Sequence, residues 1–120
     1  MESNFKQALI NLNTDYEGAL ERFVGNDALY QKFLLKFLDD KNFSGLKESL
    51  RQNNISSAFQ YAHTLKGVVG NLGLNLLYTT TQPLVELLRL NQIEGTKELM
   101  NTLEHDYHLI CNTIRSSIQE

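Results

Sequence analysis

The stretch from Ile55 to Leu72 reads ISSAFQYAHTLKGVVGNL and decides the fold class. On a helix that turns about 100° per residue, five apolar side chains fall within about 80° of Ala62. They are Ile55, Ala58, Leu65, Val69 and Leu72. One apolar face of this length predicts a helix packed into a core. Asn53 and Asn54 before it favour a turn and a cap, and Gly73 after it suits the left-handed residue that ends many helices.

Apolar residues recur at three- and four-residue steps through most of the remaining chain, and no alternation of period two persists. A short stripe of Tyr16, Leu20 and Phe23/Val24 predicts a helix that ends at Gly25. Asn26 or Asp27 can then cap the next helix. Longer stripes cover Leu29–Leu38, Phe43–Leu50, Leu76–Leu88 and Leu99–Ile114.

The connections between these stripes are short. Asp39–Asn42 predicts a kink or a short break, and Asn91 with Gly95 marks the turn before the last helix. Pro83 lies inside the Leu76–Leu88 stripe, which predicts either a kink near Thr79–Pro83 or two helical pieces. Short connections between helices predict an all-α, antiparallel bundle.

Length and composition restrict the function. The 120 residues are enough for one domain, and a net charge of −3 with interleaved signs argues against nucleic-acid binding. Cys111 is the one cysteine, which fits a reducing compartment, and Met1–Lys6 does not resemble a secretory signal. No apolar run approaches the roughly 20 residues of a membrane span. We therefore expect a cytoplasmic protein, and the start and finish slightly favour a free-standing chain.

His63 lies off the apolar face of the 55–72 helix, roughly 130° from its centre. Gly67 and Gly70 fall within about 40° of its direction, and Lys66 lies between it and the apolar face. Each glycine costs the helix roughly 0.5–1 kcal/mol relative to alanine. Clearance around a reactive imidazole, with Lys66 complementing a bound phosphoryl group, would explain this cost. A solvated histidine with glycines that serve helix packing is the alternative, and spacing alone leaves both open.

The run Ala62-His63-Thr64-Leu65-Lys66-Gly67 and the six residues after it, Val68-Val69-Gly70-Asn71-Leu72-Gly73, resemble the signature of the histidine phosphotransfer (HPt) family over twelve positions. Upstream, Leu20–Gly25 with Leu29-Tyr30 and Phe37 is similar to a second stretch of the family. Asn54 stands where many members carry a capping Asp.

This resemblance implies a four-helix bundle with one or two accessory N-terminal helices, a single domain over 1–120 and a bundle core over about 27–118. It implies that His63 accepts a phosphoryl group at Nε2 from a receiver-domain aspartyl phosphate and passes it to another receiver. Lys66 would support the phosphoryl charge, and Thr64, Gly67 and Gly70 would form the access and docking surface. The expected protein is a monomeric phosphoryl carrier without a cofactor, not an enzyme, and its partners are receiver domains of response regulators or hybrid kinases.

The helix after the histidine motif departs from the family pattern. Leu84-Val85 replaces a common Leu-Glu pair, with Glu86 displaced by one, and Pro83 follows the run Thr79-Thr80-Thr81. These differences bear on the shape of that helix and leave the histidine motif intact.

Two other classes of function are alternatives to phosphoryl transfer. A helical adaptor without phosphoryl chemistry is the main rival, and a histidine- or metal-dependent enzyme is a third. His105 and His108 can share a helix face near Glu104 and Asp106, but a third metal ligand at good spacing is missing. Cys111 is expected to be a buried small residue. The tyrosines are expected at helix-face borders with their hydroxyls reaching water. They are Tyr16, Tyr30, Tyr61, Tyr78 and Tyr107.

Overall fold

Seven helices account for the regular structure of residues 3–118, the part of the chain that the computed structural model describes. They are α1 (Ser3–Asn11), α2 (Tyr16–Arg22), α3 (Asp27–Phe37), α4 (Asn42–Arg51), α5 (Ile55–Asn71), α6 (Asn75–Arg89) and α7 (Thr96–Ile118). The one β-type pairing within these residues is an isolated bridge between Thr14 and Leu74. The all-α prediction is confirmed. Residues 1, 2, 119 and 120 of the predicted domain lie outside the described range.

Polar side chains cap the N-termini of three helices. Asp15 accepts a hydrogen bond from the backbone N–H of Gly18, Asn26 from that of Leu29 and Asn54 from that of Ser57, at 3.0–3.1 Å. Each satisfies a donor that the first helical turn leaves free. Of the two predicted caps for α3, Asn26 rather than Asp27 makes the bond.

The helices α4, α5, α6 and α7 pack in chain order, each against the next. α7 closes the bundle against α4, because Phe43 stacks on Tyr107 at 4.3 Å and Lys47 pairs with Glu104 at 2.6 Å. α3 extends the wall of α4 beyond the break before Asn42, and its Phe37 ring also meets Tyr107. The result is the expected four-helix bundle, with α1 and α2 as accessory helices.

The core follows the apolar stripes of the sequence. Ala58, Ala62, Leu65 and Val69 of α5 are fully buried. The fully buried apolar side chains of α6 and α7 are Leu77 and Leu84 of α6 and Leu103, Ile110 and Ile114 of α7. Burying each such aliphatic side chain stabilises the fold by about 1.5–3 kcal/mol before entropy is counted.

Two details of the sequence predictions need correction. α6 runs without interruption from Asn75 to Arg89 through Pro83, so of the two alternatives for this helix the two-piece form is wrong. Proline removes one hydrogen bond, and the buried side chains on both sides of it, Thr81 and Leu84 among them, hold the helix in the core. Val24 was assigned to an apolar stripe with Phe23, but it is 88% exposed at φ +49° in the turn that ends α2, whereas Phe23 is buried.

Gly73 and Gly67 should respond oppositely to the same substitution. Gly73 has φ +71°, and a Cβ there would lie 2.6 Å from the Asp15 carbonyl oxygen. Gly73→Ala should therefore lower the free energy of unfolding by about 2 kcal/mol or more. A Cβ at helical Gly67 would meet nothing within 4 Å, so Gly67→Ala should raise that energy by about 0.5–1 kcal/mol. Urea unfolding followed by circular dichroism measures both, and equal effects would contradict the packing described for Gly73.

Candidate functional site

His63 lies on the exposed flank of α5, in the middle of the helix. Its nearest aromatic neighbour is Phe59, one turn earlier, with ring centroids 5.8 Å apart at 52°. Neither imidazole nitrogen makes a hydrogen bond to another described residue. No described protein group therefore fixes one tautomer of the imidazole, and the exposed side chain is accessible to a reacting partner.

The neighbours of His63 on α5 differ in their packing. Thr64 and Gly67 are exposed, and the space beside Gly67 is open. Gly70 is partly buried, and a Cβ there would lie 3.4 Å from the Tyr78 ring of α6, an ordinary packing distance. Lys66 is partly buried and pairs with no carboxylate within the described range. The open surface beside the imidazole is therefore on the side of Gly67, and Gly70 faces a helix contact.

The C-terminal end of α5 is bonded throughout. Leu74 donates its N–H to the carbonyl of Val69, and Gly73 donates its N–H to the carbonyl of Gly70. These two hydrogen bonds together form a Schellman motif. Backbone N–H groups also reach the carbonyls of Val68 and Gly73, from Leu72 at 3.1 Å and from Asp15 at 2.9 Å. An α-helix leaves its last carbonyls without donors from the helix itself, so such bonds satisfy them.

Side chains from α2 and α3 donate further hydrogen bonds to the carbonyls at this end of α5. The Arg22 guanidinium donates to the carbonyls of Gly70 and Asn71 at 3.0 and 2.9 Å, and the Tyr30 hydroxyl donates to that of Leu72 at 2.7 Å. A cation at this position also opposes the negative end of the helix dipole. The N-terminal helices therefore hold the end of the helix that carries His63.

The sequence indicated Arg22 only as part of the family resemblance, and it assigned neither Arg22 nor Tyr30 a role in holding α5. The prediction that tyrosine hydroxyls reach water was wrong for Tyr30, which is fully buried, and for Tyr16, which donates to Asp27 at 2.6 Å. Burial, followed by the Asp27 hydrogen bond, raises the pKa of Tyr16 to about 12. Burial likewise raises the pKa of Tyr30 above its ordinary range.

The other sequence candidates do not come together as a site. Within the described residues, no group of three His, Cys, Asp or Glu side chains is arranged to hold a metal ion. His105 lies 3.2 Å from Asp106, and His108 lies 3.7 Å from Glu104, which already pairs with Lys47. Cys111 is buried as predicted, and burial raises the pKa of its thiol, which disfavours the reactive thiolate.

The departures from the family pattern after the histidine motif lie in α6. Val85 is buried in the core, and Glu86 lies 2.6 Å from Arg89 one turn later. The substitution of the common Leu-Glu pair therefore places an apolar side chain in the bundle interior.

Comparison with known proteins supports one family. The family model described as Hpt domain matches residues 32–113, which include all of α4, α5 and α6. No curated protein and no solved structure gives a significant match to the chain. None of the helices within residues 3–118 has the length and apolar character needed to cross a membrane.

Alkaline pH should destabilise the fold through its buried tyrosines. An unfolded tyrosine ionises near pH 10, whereas folded Tyr16 ionises near 12, so its contribution is complete below pH 10 and is lost as the pH rises towards 12. Tyr30 and Tyr107, whose pKa values burial also raises, act in the same direction. Tyr30→Phe should lower stability by about 1–2 kcal/mol below pH 10 and flatten the decline above it.

Urea unfolding on both sides of pH 10 measures this effect. Tyr61→Phe is the matched control, because Tyr61 is 39% exposed and should leave the slope unchanged. An alkaline slope for Tyr30→Phe equal to that of the parent protein would contradict the assignment.

Proposed function

Because the chain belongs to the Hpt domain family, we propose that it relays phosphoryl groups between receiver domains through a phosphohistidine at His63. Hpt domains are phosphocarrier modules of two-component signalling, and their partners are receiver domains and kinases. The observation that carries the assignment to this residue is the exposure of His63 on α5, where its imidazole makes no hydrogen bond to the residues that the structure describes. The other two histidines, His105 and His108, lie on α7 beside carboxylates.

The proposed reaction needs one nucleophile from this chain. The Nε2 lone pair of neutral His63 attacks the phosphorus of an aspartyl phosphate, and the bond from phosphorus to the carboxylate oxygen breaks as the N–P bond forms. The aspartate leaves as a carboxylate with the electron pair, and the imidazole ring takes one positive charge with its proton on Nδ1. Transfer to the next receiver reverses these changes.

The remaining groups of the site have supporting roles in this proposal. Lys66, one turn from His63 and without a carboxylate partner within the described range, opposes the negative charge of the bound phosphoryl group. Gly67 leaves room for the partner's active site to close over the imidazole. Thr64 is exposed on the same part of the helix. The chemistry of the reacting aspartate belongs to the receiver, so the protein acts as a monomeric, cytoplasmic carrier rather than an enzyme.

Replacement of His63 tests the assignment. His63→Gln should reduce labelling by a phosphorylated receiver to background, while the free energy of unfolding changes by less than about 0.5 kcal/mol because the side chain is exposed. The label on the parent protein should be acid-labile and base-stable, as a phosphoramidate is. His105→Gln is the matched control and should retain full labelling. Retained labelling of His63→Gln would overturn the assignment, and a fold that binds receivers without any label would favour the adaptor function.

A bulky side chain at Gly67 should slow phosphoryl transfer to His63 without lowering the free energy of unfolding. Gly67→Leu should not lower the free energy of unfolding, because leucine favours a helix over glycine and its Cβ meets nothing within 4 Å. Phosphoryl transfer should slow roughly 10–100-fold, because a displaced partner misaligns the reacting atoms. Gly67→Ala should give a smaller loss. Stopped-flow or quench-flow transfer from a phosphorylated receiver measures the rates, and an unchanged rate for Gly67→Leu would refute the clearance argument.

A further inference from the structure

A groove of about 320 Å³ lies at the end of the bundle where α5 begins, between the C-terminal part of α4 and the first turns of α7. Its apolar lining consists of Leu50, Ile55, Ile93 and Met100. Ile55 precedes His63 by eight residues, or about 12 Å along the helix axis. This surface, the α4–α7 groove, is therefore separate from the histidine site.

Hydrogen-bonded turns hold two walls of the α4–α7 groove in place. Before α7, Thr96 is buried and donates its N–H and its hydroxyl to the Ile93 carbonyl, at 3.1 and 2.6 Å. Between α4 and α5, Asn54 donates its N–H to the Ser49 carbonyl at 2.8 Å, and Asn53 has a left-handed φ of +59°. Ile93 nevertheless remains 47% exposed. The groove is therefore a preformed hollow with an apolar wall open to solvent, which is the usual form of a small-molecule site.

One cation of the groove lacks a partner. Lys47 pairs with Glu104 at 2.6 Å, and Arg51 pairs with Glu48 one turn earlier on α4. Lys97, by contrast, pairs with no carboxylate within residues 3–118. It lies in the first turn of α7, where the positive end of the helix dipole disfavours a cation. An anion bound beside Lys97 would offset this unfavourable position.

The size and charge of the groove restrict its occupant. A volume of 320 Å³ holds about ten groups of the size of a water molecule, whereas one helical turn with its side chains fills about 420 Å³. A short acyl chain therefore fits better than a helical segment of a protein. Since the lining carries three cations and one carboxylate, a second copy of the chain would bring like charges together. Glu94 and Glu98, the carboxylates nearest to Lys97 in the sequence, do not line the groove.

We propose that the α4–α7 groove binds a small amphipathic carboxylate, a ligand that the phosphoryl relay does not involve. The acyl chain packs against Leu50, Ile55 and Met100, with Ile93 as the outer wall, and the carboxylate pairs with Lys97. Removal of the chain from water supplies most of the affinity. The ion pair, which stays close to solvent, contributes less and orients the ligand.

Octanoate, kept below its micellar concentration, is the probe for this site. NMR of ¹³C-labelled methyl groups should show saturable shifts of Ile55, Ile93 and Met100 with a dissociation constant on the order of 1 mM. Octylamine, which has the same chain and the opposite charge, should bind about tenfold more weakly. Butyrate should bind more than about tenfold more weakly, because four methylene groups are missing.

Two variants of the parent protein test the two halves of the site. Lys97→Gln should weaken octanoate binding about fivefold and remove most of the preference over octylamine. Ile93→Ser should weaken it roughly tenfold. Lys32→Gln and Leu109→Ser are the matched controls, since both replace exposed side chains outside the groove and should leave the affinity unchanged. Thermal unfolding should show that all four variants remain folded.

Several results would overturn the proposed site. They are the absence of saturable shifts, shifts spread evenly over the methyl groups of the chain, equal binding of octanoate and octylamine, and an unchanged affinity in Lys97→Gln. Binding that appears only above the micellar concentration would indicate attraction to a lipid surface and would also overturn it. The titration contains no phosphoryl group, so each of these results leaves the proposed role of His63 intact.

Discussion

Every carbonyl group at the C-terminal end of α5 accepts a hydrogen bond from the protein, and these bonds tie much of the N-terminal region to that end of the helix. The backbone of residues 72–75 supplies some of the donors, and Arg22, Tyr30 and the Asp15 N–H supply the rest. The buried Leu72 carbonyl would cost about 1–3 kcal/mol without the Tyr30 hydroxyl, and this bond together with those of Arg22 fixes α2 and α3 against the helix that carries His63. Gly73 permits the arrangement, because any side chain there would meet the Asp15 carbonyl.

This anchoring explains how an exposed histidine can have a defined position. The side chain of His63 makes no hydrogen bond of its own to the described chain, so its location depends on the rigidity of α5. The helix is held along its length by buried Ala58, Ala62, Leu65 and Val69 and at its end by the bonds described above. The site therefore needs few groups of its own, and the proposed division of labour leaves the reacting carboxylate and its chemistry to the partner.

The sequence predicted those features that depend on local spacing. The apolar face of α5, the cap at Asn54, the break before Asn42 and the exposed flank of His63 all follow from helical periodicity and turn chemistry. Features that depend on distant partners could not be obtained this way. The hydroxyl of Tyr30 finds its acceptor 42 residues away, and Val24 could not be separated from Phe23 by spacing.

The phosphorylated atom can be observed directly. After incubation of the uniformly ¹⁵N-labelled protein with a phosphorylated receiver, heteronuclear NMR resolves the imidazoles of His63, His105 and His108 in one sample. The proposed function predicts phosphorus coupling at Nε2 of His63 and unchanged spectra for the two histidines of α7. Phosphorus coupling at His105 or His108, or an unmodified His63 in a protein that carries the label, would contradict it.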